Sequence, residues 1–145
     1  MNSEPASDRA PGPVLIVDDE EDIVTYLLEV LRDHGIEAAG ATTPHDAREE
    51  IERRPPGLVL LDIMMPGTSG VSLYRWIREE SSAPSVPVLF ISGYSKIEDF
   101  EGRGIDVLQG VALGPRDGFL EKPIRRESLL ERVRNLVGPS AGGHR

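Results

Sequence analysis

The sequence predicts an α/β domain whose five-stranded parallel sheet is doubly wound, with helices on both faces. Continuous apolar runs stand at residues 14–17, 58–61 and 86–91. A short run without polar alternation suits a strand covered on both faces. Segments with apolar residues at helical spacing lie between these runs, so strand and helix alternate five times along the chain. That alternation marks a parallel sheet flanked by helices. Near-obligatory right-handed crossovers then collect the carboxyl ends of the strands at one edge, where such sheets bind ligands.

Residues 1–13 are polar with scattered Pro and Gly and read as a disordered arm. Val14-Leu15-Ile16-Val17 is the first strand and ends abruptly in Asp18-Asp19. Ile23, Leu27, Val30 and Leu31 mark one face of the first helix, closed by His34 and Gly35. Residues 36–42, small and apolar, form a weaker second strand. Thr43 caps the second helix, with Pro44 in its first position and Asp46 as a capping-box acid. Ala47 and Ile51 supply its thin apolar stripe before Pro55-Pro56-Gly57 stops it. Leu58-Val59-Leu60-Leu61 is the third strand and ends in Asp62. A Pro/Gly-rich loop over 64–70 leads to a third helix carrying Val71, Leu73, Tyr74 and Ile77. The fourth strand, 86–91, has Pro87 near its start and ends in Ser92-Gly93.

The stretch 94–117 holds Gly102, Gly104, Gly110, Gly114 and Pro115, which break any long helix. A short helix over 96–101 followed by irregular backbone is expected there, so the region of the fourth helix is irregular. Gly118-Phe119-Leu120-Glu121 is the last strand and runs into Lys122-Pro123. Leu129, Leu130, Val133, Leu136 and Val137 make the last helix amphipathic. The folded domain therefore spans 14–137, with 138–145 as a disordered tail.

The 145 residues make one ordinary domain. The 16 basic and 25 acidic residues give a net charge of −9, which argues against a nucleic-acid-binding face and against attraction to an anionic membrane. There is no cysteine, so disulfides, Cys-ligated zinc, iron–sulfur clusters and thiol catalysis are excluded. No run reaches the length of a membrane span, and the first residues lack the apolar core of a signal peptide. A cytoplasmic location is the expectation.

The residues just past the strong strands carry the chemistry: Asp18 and Asp19, then Asp62, then Ser92, then Lys122, which is one of two lysines in the chain. Each has a plain alternative. Asp18 and Asp19 could cap a helix, Asp62 and Ser92 could be turn residues, and Lys122 could be a solvated surface lysine. Together, at strand ends of one polarity, they place three carboxylates, a hydroxyl and an ammonium in one crevice. Clustered carboxylates repel unless a cation sits among them, and hard oxygen ligands of this kind suit Mg²⁺, with Mn²⁺ able to replace it. A serine and a lysine opposite the metal complete a phosphoryl-binding site, in which an aspartate can be the nucleophile. Gly102-x-Gly104 follows no strand and is not a dinucleotide loop. His34, His45 and His144 are too scattered for a triad or metal site.

Four motifs carry a resemblance: Val17-Asp18-Asp19-Glu20, Leu60-Leu61-Asp62-Ile63-Met64-Met65-Pro66-Gly67 with Gly70, Ile91-Ser92-Gly93-Tyr94, and Phe119-Leu120-Glu121-Lys122-Pro123. In this order they resemble the response-regulator receiver domain of two-component signalling. The resemblance implies a flavodoxin-like fold with strand order 2-1-3-4-5. It implies that Asp62 accepts a phosphoryl group from a phosphohistidine on a sensor histidine kinase or phosphotransfer protein. It makes Asp19 a direct Mg²⁺ ligand, Asp18 a ligand through a metal-bound water, and the Met64 carbonyl a backbone ligand. Ser92 becomes the hydroxyl that swings onto the phosphoryl group, Lys122 the lysine that pairs with it, and Phe119 the switch aromatic that turns inward. Plain core packing is the other reading of Phe119. The Lys122–Pro123 bond is expected to be cis.

The sequence departs from the family where the connection from Ser92 to Lys122 runs several residues long, which puts the usual output surface in doubt. Bulky Met64 and Tyr94 stand at the two positions that tune acyl-phosphate lifetime. The expected function is a phosphorylation-activated, Mg²⁺-dependent switch acting on an unknown downstream protein. It is a phosphoacceptor that assists its own phosphorylation and dephosphorylation, not an enzyme in the usual sense. Eight residues follow Val137, too few for an output domain, so a single-domain regulator or the receiver of a hybrid histidine kinase is expected. The rivals are a receiver-like adaptor that never carries phosphate, and an Asp-nucleophile phosphatase. The phosphatase would want a second acid where Met64 stands.

Overall fold

The computed structural model describes residues 12–65, 68–92 and 113–137. In chain order they form β1 (Val14–Val17), α1 (Glu21–Asp33), β2 (Ala38–Ala41), α2 (Pro44–Arg53) and β3 (Leu58–Asp62). The two-residue strands β4 (Met64–Met65) and β5 (Thr68–Ser69) follow, then α3 (Gly70–Glu80), β6 (Val88–Ser92), β7 (Gly118–Glu121) and α4 (Arg126–Val137). The main sheet has the order β2-β1-β3-β6-β7, every pairing parallel. This is the expected 2-1-3-4-5 arrangement.

Alternation along each strand explains why the apolar runs are continuous. Leu15 and Val17, Val59 and Leu61, and Val88 and Phe90 pack on one face with Ala47 and Ile51 of α2 and Val71, Tyr74 and Ile77 of α3. Val14 and Ile16, Leu58 and Leu60, and Leu89 and Ile91 pack on the other with Val24, Leu27, Val30 and Leu31 of α1 and Leu129, Leu130 and Val133 of α4. Each of these strand positions is therefore inside whichever face it points to, and each large aliphatic side chain buried there contributes about 1.5–3 kcal/mol of transfer free energy.

The helix ends follow their local chemistry. Thr43 Oγ1 accepts the Asp46 N–H at 3.1 Å, the Thr43 half of the expected box, with Pro44 leading α2. Gly35 closes α1 at φ +76°, the left-handed region that suits glycine. Its N–H reaches the Arg32 carbonyl at 3.0 Å, and the Ile36 N–H reaches Leu31 at 2.9 Å.

Three expectations need correction or restriction. The loop over 64–70 contains an antiparallel ladder, Met64 opposite Ser69 and Met65 opposite Thr68; two-residue strands carry no readable period. The fourth strand starts at Val88, not 86, because Pro87 has no N–H to give a ladder. Of the arm expected over 1–13, residues 1–11 lie outside the described residues, as do the short helix over 96–101, Gly93, Tyr94 and the tail over 138–145, whereas Pro13 is buried and accepts the Gly57 N–H at 2.9 Å. The described end of the long connection, 113–117, is irregular as expected.

Candidate functional site

Strand register fixes the site. Val17 is level with Leu61, so Asp18 and Asp62 leave adjacent strands side by side. Asp62 is level with Ile91, and Ser92 with Glu121, which brings Ser92 and Lys122 to the same rim. Behind Asp62 the chain turns tightly. The Gly70 N–H donates to the Ile63 carbonyl at 2.7 Å, and a Cβ at Gly70 would lie 2.1 Å from the Asp62 carbonyl oxygen. Only glycine lets α3 begin so close to the end of β3.

Asp18 is fully buried and Asp62 is 5% exposed, while Asp19 is not buried. Carboxylate oxygens of the three lie within 4.8 Å of one another. The N-cap of α1 is Glu20, whose own side chain makes no capping bond, so neither Asp18 nor Asp19 is the N-cap residue. Asp18 Oδ1 accepts the Glu20 N–H at 2.9 Å. Asp18 Oδ2 is buried and pairs with Lys122 Nζ at 3.2 Å.

Lys122 Nζ is also 3.9 Å from Asp62 Oδ2 and 3.5 Å from Glu20 Oε1. Burial pulls its pKa down, but the carboxylates of Asp62, Asp18 and Glu20 outweigh that and hold it above the ordinary lysine value. It is an ammonium at any physiological pH. The Lys122–Pro123 bond is cis, as expected. Tyr26 of α1 donates to the Ile124 carbonyl at 3.3 Å and ties the loop after β7 to the first helix.

The structure thus brings Asp18, Asp19, Asp62 and Lys122 together. Ser92 ends β6 at the same rim and Met64 opens β4 two residues past Asp62, both placed by their backbones. Phe119 is half-buried and stacks on Phe90, with ring centroids 5.8 Å apart and planes at 29°. Three carboxylates around one ammonium leave an excess of negative charge. An oxygen-only set of three clustered carboxylates, two of them buried, fits a hard divalent cation. The contributor that sequence reasoning gave no role is Glu20, although it stood in the first motif; a third consecutive acid was the available signal.

A buried carboxylate on the far side of the sheet also escaped it. Asp117, just before β7, accepts from Tyr74 Oη at 2.5 Å, Arg78 at 2.7 Å, the Val88 N–H at 2.9 Å and the Gly114 N–H at 2.7 Å. These partners lie at the amino ends of β6 and β7, the edge opposite the site.

Known proteins match this description. The family model of the response regulator receiver domain matches residues 14–134. The chain is 37% identical over 124 residues to the sensory transduction protein RegX3 of Mycobacterium tuberculosis, covering 86% of this chain and 50% of that protein. It is 29% identical over 130 residues to the phosphate regulon transcriptional regulatory protein PhoB of Pseudomonas aeruginosa, covering 90% and 53%. The chain spans about half the length of these curated relatives. Among solved structures it resembles the receiver domain of NtrX from Brucella abortus, with a TM-score of 0.71 at 31% identity over 86% of this chain and 97% of that one. It shares the fold of the Vibrio cholerae chemotaxis protein CheY4, with a TM-score of 0.70 at 24% identity over 86% and 98%.

Proposed function

The chain belongs to the response-regulator receiver family and so to phosphorylation-dependent two-component signalling, and from that premise we propose that Asp62 is its phosphoryl acceptor in a Mg²⁺-dependent switch. The donor is the phosphohistidine of a sensor histidine kinase or phosphotransfer protein. An Asp62 carboxylate oxygen bonds to phosphorus as the P–N bond breaks, and the imidazole leaves with the electron pair. The product is an acyl phosphate on Asp62. Asp18, Asp19, Asp62 and the Met64 carbonyl would hold Mg²⁺, or Mn²⁺ in its place. The bound ion neutralises charge on the transferring phosphoryl oxygens.

The protein's own groups do the rest. The Lys122 ammonium draws up to the new anion. The Ser92 hydroxyl donates to it, and Phe119 follows Ser92 inward. Phosphorylation adds about −1.5 to −2 charge and three acceptor oxygens, enough to bias a two-state loop arrangement. Output is by contact with a downstream protein in the cytoplasm, without nucleic acid or membrane, and the domain is the unit 14–137. Met64 and Tyr94 shield the acyl phosphate from water; an unchanged hydrolysis rate in Tyr94→Ala would refute that part.

The observation that carries the reading is the gathering of Asp18, Asp19 and Asp62 within 4.8 Å, two of them buried, beside a lysine held protonated. Intact mass after incubation with acetyl phosphate and Mg²⁺ tests it. The wild type gains a labile phosphoryl adduct that needs Mg²⁺, and Asp62→Asn gains none. If phosphorylated kinases as well as acetyl phosphate left the wild type unmodified, the phosphate-independent adaptor would take its place.

A further inference from the structure

We infer that Glu20 is a positioning residue that holds Lys122 back from Asp62 and so slows phosphoryl transfer. The inference rests on the proposed role of Asp62 as acceptor. Lys122 Nζ stands 3.5 Å from Glu20 Oε1 but 3.9 Å from Asp62 Oδ2, with Asp18 Oδ2 at 3.2 Å. The lysine thus rests closer to Glu20 than to the carboxylate that needs it.

The local backbone sets this up. Glu20 is the N-cap of α1, and an N-cap side chain ordinarily turns toward the free amides of the first turn. Here it makes no such bond. Its N–H is taken by Asp18 Oδ1 at 2.9 Å, and its carboxylate reaches across to the loop after β7.

The strength of the hold follows from exposure. The Glu20 side chain is 60% exposed and that of Lys122 22%, so water and salt screen the pair. An exposed ion pair shifts an equilibrium about two- to fivefold. Glu20 is therefore a trim on the rate and not a lock. A phosphoryl group with nearly two charges and three oxygens outcompetes a single exposed carboxylate for the same ammonium. Lys122 then leaves Glu20 for Asp62.

The test compares wild type, Glu20→Gln, Lys122→Met and the double variant, with acetyl phosphate and phosphoramidate as donors in the presence of Mg²⁺. Glu20→Gln keeps the side-chain volume and removes only the charge. It is expected to take up the phosphoryl group about two- to fivefold faster than wild type. The gain should shrink as salt is added and vanish in the Lys122→Met background. Equal rates in wild type and Glu20→Gln would overturn this inference alone. The same gain with Lys122 absent would also overturn it, since Glu20 would then act on the donor's charge directly. A wild type that takes nothing from either donor or from phosphorylated kinases would overturn the proposed function and this inference with it. The chain has two lysines, so lysine-labelled protein gives a simple spectrum that checks the contact without any donor. The Lys122 side-chain signal is expected to move in Glu20→Gln, and an unmoved Lys122 signal would again refute the hold.

Discussion

Lys122 and Tyr74 sit at opposite ends of the sheet, and each has its proton affinity raised for a different reason. For Lys122, three carboxylates overcome the effect of burial. For Tyr74, burial itself raises the phenol's pKa, and the hydrogen bond and charge of Asp117 raise it further, while Arg78 pulls the other way. The sign of the linkage is fixed by that direction. The folded phenol ionises later than the unfolded one, so the folded state binds the extra proton between the two values. The contribution to stability is complete below the ordinary tyrosine value of 10.0 and is lost as pH rises through the folded value. Ultraviolet titration of the phenols is therefore expected to show a step later than the ordinary tyrosine value, and Tyr74→Phe should remove that step. A titration with no late step would show that burial and Asp117 do not raise the Tyr74 phenol. At this scale the site was readable because strand ends of one polarity share an edge, which named Asp18, Asp19, Asp62, Ser92 and Lys122 together. Glu20 was not readable, since the direction its side chain takes depends on the Asp18 bond to its own N–H.

Elements that bury two faces announced themselves, and those held by a few polar bonds did not. β1, β3 and β6 are apolar at nearly every position because α1 and α4 cover one face and α2 and α3 the other. The β4–β5 ladder is two residues a side, too short for any periodicity. The turn before β7 is organised by Asp117, a polar residue in a Gly- and Pro-rich stretch with nothing in its neighbours to mark it as buried. Yet its side chain is fully buried and joins α3, β6 and the 114–117 turn through four donors. Asp117→Ala removes the carboxylate that the Arg78 guanidinium, the Tyr74 hydroxyl and two backbone N–H groups share. Breaking one side of a buried pair costs about 3–5 kcal/mol, and a loss of that size is expected in urea unfolding. Because the partners lie at the amino ends of the strands, Mg²⁺-dependent phosphorylation at Asp62 should survive wherever the variant remains folded. A loss under 1 kcal/mol would mean that water replaces Asp117 without penalty.

The whole molecule creates a cost that its sequence separation hides. Asp18 and Asp62 are 44 positions apart (62 less 18), and folding sets them with Asp19 inside 4.8 Å of one another, in a chain that already carries −9. One lysine offsets part of that repulsion, and the remainder opposes the compact state. A divalent cation that fits the three carboxylates binds the folded chain and not the unfolded one, where they are dispersed. It must therefore stabilise by mass action, by about 2.7 kcal/mol at one hundred times its Kd. For a domain of this size that raises the melting temperature on the order of 10 °C. Asp19→Asn separates the two halves of the argument because it acts with opposite signs. Without Mg²⁺ it removes repulsion and should melt above wild type; with Mg²⁺ it lacks a ligand and should gain far less. Thermal melting of both proteins with Mg²⁺ and with a chelator reads all four values. The expected result is that their order reverses between the two conditions. A wild-type melting temperature that Mg²⁺ leaves unmoved would show that the clustered carboxylates are not a cation site, and that the fold tolerates their repulsion by other means.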